Sequence, residues 1–272
     1  MSEVTESDHK AFWNKGFVIL RGVFSTEEIA DLRTHAERAE SPGPDLLSDT
    51  VFRDVVVDPR ITGIARQLLG CVPVYFGDSV LSRAERPGPW HKDNAGRYDA
   101  TTADWQGNYP LLRFGVYLQD HSRYSGGVSV RARSHQSPTR TEGEPVYMDT
   151  RVGDVVVWHF RATHRGATSL LRGTRIPVSN YRLDKLLPGL FKAPAEKARH
   201  ALFITYGAPC ADTERYIDYL GSRQYAVARA AASQYDAVWL ASIDPEQVVI
   251  RDARPDIART PAAETSLKHQ EH

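Results

Sequence analysis

Two histidines and one aspartate in this sequence have the spacing of a metal site. His91 and Asp93 are separated by one residue, and residues i and i+2 of a β-strand point to the same face. An imidazole and a carboxylate at that spacing can hold one metal ion from one strand. His164, at the end of the apolar segment that begins after Gly153, is the third candidate ligand. Two histidines and one carboxylate leave coordination positions open and are typical of non-haem iron(II) oxygenases.

Other histidines compete for the role of third ligand. His159 lies five residues before His164, and His121, His135 and His200 are further candidates. A His-x-Asp pair is also common on protein surfaces without any metal. The order of the motifs favours the metal site: the His-x-Asp pair comes first, then apolar strands, then a Gly-Asp turn with a further strand, and then His164.

Short apolar segments separated by Gly, Pro, Asp and Ser predict the elements that would position these residues. The predicted strands are rich in Val, Tyr, Phe and Leu, and they span residues 72–81, 111–119, 127–133, 154–160, 175–182 and 201–206. Many short strands without intervening helices predict a mainly β fold, a barrel or jelly roll. One more short strand is predicted at residues 17–20.

Helices are predicted on both sides of this β region. Ser25 and Glu28 form a capping box, and Pro59 opens a helix that Gly70 ends. Residues 212–240 return to helical spacing. We therefore predict a single domain over residues 1–251, with a β core at about 72–206 and C-terminal helices at about 212–240. The polar tail, residues 252–272, is predicted to be disordered.

Composition limits the partners of the chain. Its 272 residues contain 34 basic and 34 acidic residues, so no net field attracts nucleic acid or an anionic membrane. Cys71 and Cys210 are too few for a disulfide framework. No signal peptide or apolar run of about 18 residues is present, which predicts a cytoplasmic protein. A small-molecule partner is therefore expected, and the oligomeric state stays open.

Taken together, the motifs resemble the phytanoyl-CoA dioxygenase family of iron(II)- and 2-oxoglutarate-dependent enzymes. The similarity extends over about residues 12–183. It is carried by the segments 16–24, 90–93, 117–120, 125–127, 133–135, 153–159 and 163–164, and by Arg175. The resemblance implies a double-stranded β-helix core, with iron(II), 2-oxoglutarate and dioxygen as cofactors. It also implies that His91, Asp93 and His164 are the metal ligands and catalytic residues.

An arginine is expected to bind the distal carboxylate of 2-oxoglutarate, because the planar guanidinium matches a carboxylate. The family resemblance favours Arg175, eleven residues after His164, with Arg172 as a close competitor. Arg113, in an otherwise apolar strand, is a second candidate for the cosubstrate or the substrate. The family often has a hydroxyl residue two positions after the distal histidine, where this chain has Gly166.

The segment 96–110 is expected to contact the substrate. Tyr98, Asp99, Asp104 and Trp105 are its candidate contacts, and they suit a sugar, an aminocyclitol or an amino-acid derivative better than a fatty acyl-CoA. The resemblance implies oxygenation rather than halogenation, because the carboxylate Asp93 is present. Hydroxylation, epimerisation and oxidative cyclisation stay open. An oxygen-independent cupin-like isomerase or hydrolase, and a non-catalytic small-ligand-binding barrel, are the alternative classes.

Overall fold

The computed structural model describes residues 4–41, 43–83 and 86–259. Helix α1 (Glu6–Lys15) begins at Thr5, whose side chain forms a capping box with Asp8. The helix ends at Gly16 in the left-handed conformation, with φ of 86°. A Cβ at Gly16 would lie 2.5 Å from the ring of His135, so glycine is required there for both reasons. Strand β1 (Phe17–Leu20) follows, as predicted.

Three helices then cover one face of the molecule. Helix α2 (Thr26–Ala36) starts with the predicted capping box of Ser25 and Glu28. Helix α3 (Phe52–Val56) is short, and helix α4 (Pro59–Leu69) has proline in its first turn and ends at Gly70. The apolar sides of these helices are buried.

Two facing sheets form the centre of the fold. Seven of their strands lie between residues 74 and 207. They are β2 (Val74–Ser82), β3 (Leu111–Tyr117), β4 (Gly127–Ala132), β5 (Glu144–Tyr147), β6 (Val155–His159), β7 (His164–Thr168) and β8 (Ala201–Gly207). With β1 and β9 (Val249–Ile250), the larger sheet has the order β1-β6-β3-β8-β2-β9 and the smaller one β5-β4-β7. This arrangement is the predicted jelly roll, with helices packed outside it.

The larger sheet is buried on both faces, which explains its nearly continuous apolar strands. In β6, Val155 and Val157 pack toward the helices, while Val156 and Trp158 pack with residues of the smaller sheet. The face toward the smaller sheet becomes polar at one end, and that end carries the site described below.

The segment between β7 and β8 differs from the prediction. Residues 175–182 do not form a strand; within them Pro177 makes only an isolated bridge with Leu170. The segment instead contains helix α5 (Tyr181–Leu186), which Asn180 caps. A fully buried ion pair between Arg165 and Asp184 anchors this helix to β7.

Helices return after β8, as predicted. They are α6 (Ala211–Gly221), α7 (Gln224–Ala232), α8 (Ala237–Ala241) and α9 (Arg254–Arg259). Helix α9 corrects the prediction of a disordered tail from residue 252, because Ala253 and Ile257 pack into an apolar cluster with α6. The rest of that predicted tail, from residue 260, lies outside the described residues. No helix in the described part of the chain is long and apolar enough to cross a membrane.

Candidate metal centre

His91, Asp93 and His164 lie together at the edge of the smaller sheet. His91 and His164 form an antiparallel bridge in which each N–H donates to the carbonyl of the other, at 3.0 and 2.9 Å. The bridge places the two imidazole rings 4.4 Å apart. Asp93 lies 3.7 Å from His91 Nε2 and 3.6 Å from His164 Nε2. One donor atom from each residue lies within 4.8 Å of the others, close enough to bind one ion.

The protonation of these groups suits a divalent transition metal. The Nδ1 atoms of His91 and His164 lie 3.0 and 3.1 Å from the carbonyls of Pro89 and Ala162, so each Nδ1–H can donate and leave the Nε2 lone pair toward the centre. Burial lowers the pKa of His164 to about 4, although Asp93 opposes this. Burial would raise the pKa of Asp93, but His164 and Arg113 lower it to about 2. Neutral imidazole and ionised carboxylate are the metal-binding forms, so the residues fit iron(II).

Lys92, between the two ligands of the first pair, holds their backbone in place. Its side chain points to the opposite side from the ligands and is fully buried. The ammonium donates to the carbonyls of Ser134 at 2.6 Å and Arg161 at 2.8 Å. It also lies 5.3 Å from the centre of the Trp105 ring. These contacts tie the ligand segment to the turn after β4 and to the turn between β6 and β7.

The competing histidines have other partners. His159 Nε2 lies 2.9 Å from the carbonyl of Asn108, and its Nδ1 accepts the backbone N–H of Arg161. His135 Nε2 lies 3.0 Å from the carbonyl of Trp13, and His121 Nε2 lies 3.2 Å from the amide of Gln119. His200 Nδ1 lies 3.1 Å from the carbonyl of Ala198. The histidine that the structure brings to His91 and Asp93 is therefore His164.

A cavity of about 290 Å³ opens beside the three donors. Its walls come from the inner face of the larger sheet, from β4 and β7, and from α7. The lining combines apolar and charged side chains, which include Asp78, Val80, Ser82, Arg86, Arg113, Val128, Trp158, Arg199, Phe203, Tyr225 and Arg229. Such a cavity, with convergent polar groups and a metal-donor set, has the character of an enzyme active site.

Arg175, the arginine that the family resemblance favours for the cosubstrate, does not line this cavity. It is exposed on a turn closed by the N–H of Leu171 donating to the carbonyl of Ile176. Its competitor Arg172 is also exposed and donates to the carbonyl of Leu190 at 2.6 Å. The reason is topological: the segment between β7 and β8 is long here, so the residue eleven positions after His164 has not yet reached the next strand of the core.

Arg199, directly before β8, occupies the cavity wall instead. It is buried, with 5% of its surface exposed. Its Nε donates to the carbonyl of Gly126 at 2.9 Å and its Nη1 to Ser82 Oγ at 3.2 Å. Gly166 lines the same wall, and a Cβ on it would be 3.7 Å from Arg199 Nη2. Arg199 lies 35 residues after His164 in the sequence, and no local motif marks it.

Arg113, the second predicted candidate, does line the cavity. Its Nε lies 3.6 Å from Asp93, and its Nη2 lies 3.2 Å from Asp78. Asp78 also accepts hydrogen bonds from Thr205 Oγ1 at 2.8 Å and Tyr216 OH at 3.2 Å. The guanidinium of Arg113 thus lies between Asp93 and the buried carboxylate of Asp78, and both contacts are within the protein.

The four predicted substrate residues do not line the cavity. Asp99 is exposed and accepts from the N–H and Oγ1 of Thr101, and Tyr98 is 41% exposed. Asp104 is buried, but its carboxylate is occupied by Asn94 Nδ2 at 3.0 Å and the N–H of Gly96 at 2.8 Å.

The side chain of Trp105 also contacts protein groups rather than the cavity. Its Nε1 donates to the carbonyl of Gly96, and the guanidinium of Arg161 lies 5.0 Å from its ring. The physical reason is the same for Asp99 and Asp104: in a loop of this length, polar side chains are used first to satisfy nearby backbone groups. Tyr225 and Arg229, from α7, line the cavity instead, and no local motif marks them in the sequence.

A jelly roll, a donor set of this kind and an adjoining cavity are found together in non-haem iron, 2-oxoglutarate-dependent oxygenases. The model of the phytanoyl-CoA dioxygenase (PhyH) family matches residues 42–170, which confirms the family resemblance. No curated protein sequence matches the chain.

Solved structures share this fold at low sequence identity. HygX from Streptomyces hygroscopicus, solved with nickel and 2-oxoglutarate bound, is 18% identical with a TM-score of 0.57, over 76% of this chain and 88% of that one. AviO1 from Streptomyces viridochromogenes is 18% identical with a TM-score of 0.53, over 78% and 98%. SnoK, an alpha-ketoglutarate-dependent carbocyclase from nogalamycin biosynthesis, is 18% identical with a TM-score of 0.50, over 78% and 90%.

Proposed function

We propose that this iron(II)- and 2-oxoglutarate-dependent oxygenase holds its metal with His91, Asp93 and His164, and that it oxidises a polar small molecule in the adjoining cavity. The observation that carries this proposal is the position of the three donors. Two imidazoles and one carboxylate lie within 4.8 Å of one another on the wall of a cavity that also contains a buried arginine. A facial set of this kind leaves room for cosubstrate and dioxygen on the cavity side.

Iron(II) bound there would supply dioxygen activation coupled to the decarboxylation of 2-oxoglutarate to succinate. The contribution of the chain is to hold the ligands, exclude water and orient the substrate. The carbonyls of Pro89 and Ala162 fix the ligating tautomer of both histidines. Arg113 keeps Asp93 ionised, and the buried contacts of Lys92 restrain the backbone between the first two ligands.

Arg199 is the proposed partner of the distal carboxylate of 2-oxoglutarate. Its guanidinium is buried in the cavity wall, and a planar cation can bind a carboxylate through two N–H groups. Ser82 accepts a hydrogen bond from Arg199 Nη1, and Gly166, which has no side chain, lies beside Arg199 Nη2 on the same wall. Ser82 is the hydroxyl residue that contacts this arginine, whereas the family often has one at the position of Gly166.

The proposed substrate is a polar metabolite of the kind modified in secondary metabolism, in which hydroxylation, epimerisation and oxidative cyclisation are possible outcomes. HygX has been solved with hygromycin B, nickel and 2-oxoglutarate bound, and SnoK is described as a carbocyclase. These likenesses in fold support a small-molecule substrate for this chain. Its cavity of about 290 Å³ suits a small molecule or one end of a larger one.

Anaerobic titration tests the metal and cosubstrate parts of this proposal. Iron(II) followed by 2-oxoglutarate should produce the weak visible charge-transfer band of the chelate in the native protein. His164→Ala should abolish the band, whereas Arg175→Ala, on the exposed turn, should leave it unchanged. Iron(II) binding without the band would contradict the cosubstrate assignment and favour an oxygen-independent cupin-like enzyme. A band that survives in His164→Ala would contradict the ligand set.

A further inference from the structure

Among the described residues that line the cavity, arginines outnumber aspartates. The arginines are Arg86, Arg113, Arg199 and Arg229, and the aspartates are Asp78 and Asp93. Iron(II) carries two positive charges and 2-oxoglutarate carries two negative charges. Binding of both therefore leaves the excess of positive charge in the cavity unchanged. A cavity with surplus guanidinium groups is suited to an anionic ligand.

Neither carboxylate of the cavity is available to a substrate amine. Asp93 is assigned to the metal. Asp78 accepts hydrogen bonds from Thr205 and Tyr216, at 2.8 and 3.2 Å, and it pairs with Arg113 at 3.2 Å and Arg229 at 3.3 Å. Three of these contacts are to Oδ2 and one is to Oδ1, and two of the donors are guanidinium groups, so the negative charge of Asp78 is already paired within the protein. The amine recognition that the sequence suggested through Asp99 and Asp104 therefore has no counterpart in the cavity.

Two of the arginines retain donors. Arg86 is exposed at the cavity and makes no hydrogen bond or ion pair with any residue that the structure describes. Arg229, on α7, donates Nη1 to Asp78 at 3.3 Å, while its Nε and Nη2 have no hydrogen-bond partner among the described residues. Arg113 and Arg199 are held by protein groups on more than one side.

We propose that the substrate is a small organic anion, a carboxylate or a phosphate monoester, whose charged group binds Arg229 and Arg86. This inference rests on the proposed function and specifies its substrate class. The uncharged part of the molecule lies against the apolar lining of Val80, Val128 and Phe203. The ring of Tyr225, whose centre is 5.7 Å from the Arg229 guanidinium, flanks the anion site.

The first experiment measures binding of matched probes to protein loaded with Ni(II) and saturating 2-oxoglutarate. Nickel prevents turnover, and the bound cosubstrate blocks the Arg199 site. The probes are benzoate against benzamide, glucuronate against glucose, glucose 6-phosphate against glucose, and glucosamine as the cation. Anionic members should bind at least about tenfold more tightly than their neutral or cationic partners. Comparing the affinities for benzoate and glucuronate with the affinity for glucose 6-phosphate shows whether the site prefers a carboxylate or a phosphate.

The second experiment assigns the binding to residues. Arg86→Gln and Arg229→Gln should each weaken the preferred anion by roughly 10- to 100-fold, with the affinity for 2-oxoglutarate unchanged. Arg229→Lys should retain part of the binding. Arg175→Gln makes the same change of charge on the exposed turn outside the cavity and should have no effect. Because Arg86 is exposed, its variant tests the proposal even if Arg229→Gln disturbs α7.

Several results would overturn the inference. They are equal affinity for benzoate and benzamide, preference for glucosamine, an equal loss in Arg175→Gln, or no binding of any anionic probe at millimolar concentration. In each of these cases intact binding of nickel and 2-oxoglutarate would leave the proposed function standing. Failure of the protein to bind 2-oxoglutarate at all would remove the proposed function, and this inference with it.

Discussion

Arg113 lies 3.6 Å from Asp93, so a partly buried guanidinium directly supports the carboxylate of the proposed metal centre. The other side of the same guanidinium lies 3.2 Å from the carboxylate of Asp78. Burial alone would lower the pKa of Arg113, but the two aspartates raise it above its ordinary value. Arg113 therefore acts as the shared counter-ion of two buried carboxylates, one of which is a proposed iron ligand.

We expect Arg113→Gln to destabilise the metal-free protein by about 1–3 kcal/mol, because it removes the shared partner of Asp78 and Asp93 while Arg229 still pairs with Asp78. Urea unfolding measures this loss. Asp78→Asn in the same protein removes one of the stranded charges, so the double variant should lose less than the sum of the single losses. Additive losses would show that Arg113 and Asp78 are not energetically coupled.

The ligand assignment predicts different results for two histidines that are five residues apart. His164→Ala, like His91→Ala and Asp93→Ala, should bind iron(II) too weakly to retain it on gel filtration. His159→Ala should retain iron but unfold more easily, by about 1–3 kcal/mol, since it strands the buried groups that His159 satisfies. Iron content per protein and thermal unfolding separate the two effects. Loss of iron in His159→Ala, with retention in His164→Ala, would reverse the assignment.

Arg199→Ala should weaken 2-oxoglutarate binding by about 2–4 kcal/mol, a factor of roughly 30 to 1,000. Arg175→Ala should leave it unchanged, since that side chain is exposed on a turn. Titration of the iron-loaded, anaerobic protein measures both constants. Arg199→Lys keeps a cation but loses the planar fork, so it should fall between the native protein and Arg199→Ala. Unchanged affinity in Arg199→Ala would transfer the role to another arginine of the cavity.

The sequence was informative where function depends on local spacing. His91 and Asp93 lie on the same side of their segment, as the two-residue period predicts, although only His91 forms a β-bridge and no strand forms there. Helices α2 and α4 begin at their predicted caps, and α4 ends at the predicted Gly70. The strand order explains the failures. Arg199 enters the cavity from β8, which is reached through a segment whose length varies independently of the site, so counting from His164 selected Arg175 instead.

Side chains of a loop are harder to assign from sequence than those of a strand. Asp104 looked available for a substrate, but its carboxylate is used by Asn94 and Gly96 within the same loop. Conversely, Arg229 and Tyr225 reach the cavity because α7 packs beside it, and that packing depends on contacts between distant parts of the chain. The spacing of apolar residues predicted a helix in this region, but it did not predict that the helix would line the cavity.

The buried His135 predicts a pH dependence of stability. Burial lowers its pKa to about 4 in the folded protein, whereas the unfolded chain titrates near the ordinary value of about 6.5. The unfolded state therefore binds more protons between these two values. The stabilisation is fully present above about pH 6.5 and is lost as the pH falls toward 4, by on the order of 3 kcal/mol.

His135→Gln should remove that contribution. The free energy of unfolding in urea, measured for the metal-free protein across this range, should fall less steeply with decreasing pH than in the native protein. The comparison is between slopes, so a constant loss of stability from the altered packing at Gly16 does not affect it. Identical slopes in the two proteins would show that His135 is not a source of the acid sensitivity.

Gly166→Ser tests whether the cavity can accept the hydroxyl that the family often has two residues after the distal histidine. A Cβ at Gly166 would lie 3.7 Å from Arg199 Nη2, an ordinary contact, and the backbone there is not in the left-handed region. The serine should therefore fold and bind iron normally. Its hydroxyl, beside Arg199, can add one hydrogen bond to the bound carboxylate, which should tighten 2-oxoglutarate binding by about 0.5–1.5 kcal/mol.

Gly127→Ala is the matched contrast, because a Cβ at that position would lie 2.7 Å from Tyr147 OH. We expect it to lower the unfolding temperature with no gain in cosubstrate affinity, since Gly127 does not line the cavity. Isothermal titration with 2-oxoglutarate and thermal unfolding distinguish the two variants. If Gly166→Ser instead weakened 2-oxoglutarate binding while retaining iron, the added atoms would be blocking the cosubstrate, and the space beside Arg199 would be required for it to bind.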